Sequence, residues 1–127
     1  MTPEVPSVLF ELSQLLMRNA APDVPDGERA SALGLSAMLL GLAAETWDGA
    51  AHNLVVENRA LRELLDLAGE DGDLHLAALK AENDRLRARL IAAQVAAEAA
   101  GDVARQDAIW AELLASTERR RISVSLV

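Results

Sequence analysis

Apolar residues recur three and four apart along most of this chain, which is the period of an amphipathic helix. Val8, Leu9, Leu12, Leu15 and Leu16 place a first helix over about Pro6 to Ala20. Ala21-Pro22-Asp23-Val24-Pro25 forces a turn, because proline removes a backbone donor and restricts the residue before it. Asp26 suits the N-cap of a second helix, with Glu28 in its first turn, and the pattern stays helical to about Leu67. Gly69-Glu70-Asp71-Gly72-Asp73 breaks it, with Gly69 placed to cap one helix and Asp73 to open the next. A third helix runs to about Ala100, Gly101-Asp102 is a second stop and start, and a fourth helix runs to about Arg120. The pattern predicts an all-α fold: an antiparallel helical bundle of four helices over 1–121, with a long second helix and completed by dimerisation. A C-terminal tail, 122–127, alternates apolar and polar residues.

The second helix carries a regular heptad. Leu33, Leu40, Trp47, Leu54 and Leu61 are seven apart, and Ala30, Ala37, Ala44, Ala51, Asn58 and Leu65 hold the companion position. Small residues there let a partner helix approach closely. Gly34 and Gly41 flank this seam, and close packing is the expected compensation for interior glycine, which costs about 1 kcal/mol against alanine. The string Leu-x-x-Glu-Asn-x-x-Leu-Arg-x-x-Leu occurs at 54–65 and again at 79–90, on either side of the acidic turn. Folded as an antiparallel hairpin, the two copies bring Asn58 level with Asn83. Paired polar residues at such positions set register at some cost in stability. On this reading, leucine at both positions raises thermal stability and loosens register.

Composition narrows the function classes. The 127 residues include 12 basic and 20 acidic side chains, a net charge of −8. That sign disfavours nucleic acid, whose phosphates call for basic patches, and it disfavours anionic membrane surfaces. The longest uncharged helical run, Ala30–Ala44, is shorter than the roughly 20 residues a membrane span needs. There is no cysteine, which excludes disulfides and thiolate metal sites. Alanine and leucine dominate, Lys80 is the only lysine among many arginines, and no targeting signal is expected from the residues around Met1-Thr2-Pro3-Glu4. This usage suggests a bacterial, cytoplasmic protein. Arg119-Arg120-Arg121 is read as last-turn cations complementing the helix dipole.

Candidate chemistry is sparse. Glu45, Asp48 and His52 lie at i, i+3 and i+7 of the second helix, the arrangement by which a bundle could bind iron or manganese. Glu98, Asp102, Gln106 and Glu112 could complete the shell, yet the Glu-x-x-His motif of di-metal bundles is missing. Asp71, Asp73 and Glu82 match positions 1, 3 and 12 of a calcium loop, but His75 and Leu76 break the pattern where a ligand and a glycine are required. Gly34-Leu35-Ser36-Ala37-Met38 lacks the final glycine of a nucleophile elbow and falls within a helix.

The expectation is therefore a non-catalytic, homo-oligomeric protein-interaction or accessory module without a cofactor. Its partners are a second copy of itself and, beyond that, another protein. A ferritin-like metal- or small-ligand-binding four-helix bundle is the alternative. Leu33, Leu35, Met38, Leu39 and Leu42 make the first half of the second helix apolar nearly all round, which marks them as the dimer interface. Trp110, with Val103, Leu113, Leu114 and Thr117, is expected to anchor the fourth helix in the core.

Overall fold

In the computed structural model, residues 4–20 and 26–122 are described. The turn expected at Pro22–Pro25 and the tail beyond Ile122 lie outside them. The chain is an all-α helical bundle of four helices: α1 Val5–Leu15, α2 Gly27–Leu64, α3 Leu76–Ala100 and α4 Val103–Arg119, with no strand among the described residues. Leu16–Ala20 continues α1 as one wider π-helical turn. α2 runs through Gly41 and Gly49 without interruption. The chain divides into two compact units, one extending to Gly49 and the other covering Ala50–Arg121.

Local chemistry accounts for the ends. Asp26 Oδ1 accepts from Glu28 N at 2.9 Å and opens α2. Its other end closes earlier than the glycine pattern implies. Asp66 takes φ 55, Leu67 N bonds to Arg62 O and Asp66 N to Glu63 O, so an aspartate fills the left-handed position usually given to glycine. Gly101, at φ 66, closes α3 with the equivalent pair of bonds from Gly101 N and Asp102 N. Asp102 then caps α4 by accepting from Arg105 N at 3.0 Å. α3 starts at Leu76 after His75, whose backbone N–H is held by the Asp73 carboxylate.

In the first unit, α1 meets α2 through small residues. Ser13, Ala37 and Ala44 are buried, and a methyl group at position 41 would stand 3.8 Å from Ser13 Oγ. Nothing lies within 4 Å of where a Cβ would sit on Gly34, so close packing does not account for that glycine. In the second unit, Leu61, Leu86, Leu90 and Ile109 form the core, bordered by Leu64, Leu65, Leu67, Ala93 and Leu113.

Trp110 does not anchor α4: it is 59% exposed, and Val103 and Leu114 are each 65% exposed. Of the expected residues Leu113 packs against the core; the inward stripe is Gln106, Ile109, Leu113 and Ser116. That face sets Ile109 and Leu113 against the leucine core and Ser116 on the buried Glu57 carboxylate.

Candidate functional site

Among the described residues, a set of polar groups converges inside the second unit. Glu57 is nearly inaccessible and accepts five hydrogen bonds. Oε1 takes Asn83 Nδ2 at 3.0 Å, Arg87 Nη1 at 2.6 Å and Arg120 Nη2 at 2.7 Å, while Oε2 takes Ser116 Oγ at 3.0 Å and Arg120 Nε at 3.1 Å. Beside it, Asn83 Nδ2 donates to Asn58 Oδ1 at 3.0 Å. Asn58 Nδ2 in turn donates to Asp71 Oδ1 at 3.1 Å and to the Leu79 carbonyl at 3.3 Å. Arg62 Nη2 bridges Asp71 at 2.7 Å and Glu82 at 2.8 Å, and Arg85 closes on Glu82 from outside.

The repeat explains this geometry. Glu57 and Arg62 in α2 correspond to Glu82 and Arg87 in α3. Each arginine reaches across the hairpin to the glutamate of the other copy, Arg62 to Glu82 and Arg87 to Glu57. Both pairs are centred on Gly72 in the sequence, and the two asparagines meet between them. The interior is thus a pseudo-two-fold polar lattice, bound at one end by Asp71 and at the other by Ser116 and Arg120 of the last helix and its end.

Electrostatics follow from the partners. Burial pushes the Glu57 carboxyl up, but hydrogen bonds from Arg120, Asn83 and Ser116, with the Arg120 charge, outweigh it and hold the group at about 2. Arg85, against some burial and with help from Arg62, brings Glu82 down to about 2. The hydrogen bond to Asp71 leads in raising Arg62 above the ordinary arginine value. A carboxylate held this low keeps no proton to give near neutral pH and is a poor base. Ser116 Oγ spends its proton on Glu57 and is buried, so the pair is a structural tie, not an activated nucleophile.

The other candidates are placed as follows. Asn58 and Asn83 are brought together. Glu45, Asp48 and His52 are each exposed, and among the described residues no group of three or more acidic or histidine side chains gathers to hold a metal ion. Glu98 accepts from Gln94, Asp102 caps α4, Gln106 donates to the Ala97 carbonyl and Glu112 pairs with Arg119. Asp71 and Glu82 of the calcium-loop pattern share Arg62. Ser36 donates to the Ala32 carbonyl of its own helix. Of the interface residues, Leu35, Met38 and Leu39 are exposed, and Leu33 and Leu42 are half-buried.

An open cleft of about 490 Å³ lies beside the turn, lined by Val55, Arg59, Leu67, Glu70 and Leu74 among others. Arg62 and Asp71, which also line it, are already bonded to each other. Helical pattern pointed to the asparagines but not to Glu57, Arg62, Arg87, Ser116 and Arg120. The first three stand in the repeat itself and could have been paired by their common centre. Arg120 could not, because its role depends on where α4 lies. No family model, curated protein sequence or solved structure matches the chain.

Proposed function

We propose that the chain is a non-catalytic, homo-oligomeric protein-interaction module acting through its helix faces, in the cytoplasm of a bacterium. One observation carries this reading: the converging polar groups satisfy one another inside, while large apolar side chains stand outside at helical spacing. On α4 these are Val103, Trp110 and Leu114; on α3, Ile91 and Val95; on α2, Leu35, Met38 and Leu39; on α1, Val5, Val8, Leu12 and Leu15. Helices apolar on outward faces call for a partner, and large exposed apolar surfaces mark interaction sites.

α2 is long and apolar enough to pass for a membrane span by length and composition. Its charge-free stretch, Ala30–Ala44, covers about 22 Å at 1.5 Å per residue against a hydrocarbon core of about 30 Å. Protein contact is therefore the better use of that surface. Light scattering after size exclusion tests the reading. A mass of about 27 kDa or more, at least twice the 13.5 kDa of the chain, with no stoichiometric metal by elemental analysis, supports it. A monomer, or a stoichiometric complement of iron, manganese or zinc, overturns it.

A further inference from the structure

We infer that a second copy of this chain binds on the face of α2 that carries Leu35, Met38, Leu39 and Leu42, antiparallel, about a two-fold axis between Met38 and Leu39. The inference rests on the homo-oligomeric reading and gives it a surface. These four residues stand at i, i+3, i+4 and i+7, one stripe of a helix. Leu35, Met38 and Leu39 are 53%, 37% and 54% exposed. Leu42 is half-buried. Gly41, which faces Ser13 of α1, and the buried Ala37 and Ala44 stand on another face of α2.

Charge identifies the occupant. The chain carries a net charge of −8, yet no charged residue occurs from Ala30 to Ala44. Two copies can meet along that stretch without bringing like charges together. The exposed stripe of α1 is different, because Glu4 and Glu11 line it together with Val8, Leu12 and Leu15. Pairing α1 with its own copy, antiparallel and centred on Phe10, would bring the two Glu11 carboxylates to nearly the same level.

Spacing fixes the direction. The α2 stripe reads the same from both ends, so Leu35 falls opposite Leu42 of the second copy and Met38 opposite its Leu39. The same register sets Glu28 and Glu45 level with the second copy's Gly49 and Ala32, not with each other. A parallel pair would instead align Glu28, Arg29, Glu45 and Asp48 each with itself, and like charges at one level repel.

The chain has no cysteine, so introduced cysteines report cleanly. Positions 35 and 42 are about 10 Å apart along one helix, too far for a disulfide within a chain. The double variant Leu35→Cys/Leu42→Cys is expected to oxidise to a covalent dimer, whereas Leu35→Cys and Leu42→Cys alone stay uncrosslinked. Leu39→Glu is expected to halve the mass seen by light scattering and leave the helical circular dichroism unchanged. Self-crosslinking by either single variant means parallel pairing and overturns the inference. So does a dimer that resists Leu39→Glu and does not crosslink through the double variant; it would place the contact on another face and leave the homo-oligomeric reading standing. A wild-type monomer at micromolar concentration overturns both, as does recovery of the chain only with membranes.

Discussion

The two units draw on the same alanine- and leucine-rich alphabet and arrange it differently. Up to Gly49, the buried residues are Ser13, Ala37 and Ala44, while Leu12, Leu15, Leu35 and Leu39 are exposed and Leu33, Leu40 and Leu42 half-buried. From Ala50 on, leucines and Ile109 fill the core beside Glu57, Asn58, Arg62 and Asn83, all buried and bonded. The contrast teaches that hydrophobicity alone does not decide burial here. Small residues win a helix contact by letting backbones approach. Glu57, Asn58, Arg62 and Asn83 hold interior positions where each is bonded to a polar neighbour. An unpartnered buried group would cost about 1–3 kcal/mol, more if charged, so the lattice of the second unit stands or falls together.

The largest break in that contrast comes from Glu57→Ala. It leaves Asn83 and Ser116 with unmade bonds and sets Arg87 and Arg120 beside each other without their shared anion. Removing one member of a buried charge cluster costs about 3–5 kcal/mol, and the urea midpoint of the second unit is expected to fall accordingly. An unchanged midpoint would show that the lattice is incidental.

Acid gives the next effect. Glu57 and Glu82 titrate lower in the fold than in the unfolded chain, at about 2 against 4.5. Their contribution is complete above pH 4.5 and drains away as pH falls towards 2. For Glu57 it amounts to about 3 kcal/mol, because a tenfold change in proton affinity corresponds to about 1.4 kcal/mol. Denaturant midpoints measured across this window are expected to drop in the wild type and to drop less in Glu57→Gln.

Asn58→Leu with Asn83→Leu tests the hinge of the lattice. Pattern alone predicts a gain in stability. The bonds from Asn83 to Glu57 and from Asn58 to Asp71 and the Leu79 carbonyl reverse the sign. A loss of about 2 kcal/mol is expected from acceptors left unpaired in the interior, read as a lower midpoint; a higher melting temperature would restore the pure register role.

The first unit is expected to respond oppositely. Gly34→Ala fills open space in a helix interior, and should raise its stability by up to about 1 kcal/mol. Smallest of all is Trp110→Ala. With the ring 59% exposed, a change within about 0.5 kcal/mol is expected, against roughly 2–5 kcal/mol for the buried neighbour in Ile109→Ala. In Trp47→Phe, emission from Trp110 should be red-shifted.

How much of this was legible varies by residue. Val8, Leu12 and Leu15, the Gly101-Asp102 boundary and the period-25 repeat carried the helices and brought Asn58 level with Asn83, because helical spacing and capping act between residues close in sequence. Asp66 replaced Gly69 at the end of α2 because the helix stopped a turn earlier than its apolar pattern. On α4, a face holding tryptophan and leucine looked like the core and is not. By itself the sequence determined the all-α class and the hairpin that superposes the repeats. Only the tertiary structure decided that Ser116 and Arg120 complete the shell of Glu57, since residues 59 and 63 positions away meet it only once α4 has packed. The inward face of α4 is set by the sum of its partners, Ile109 and Leu113 against the leucine core and Ser116 on the buried carboxylate, and these come from elements distant in sequence.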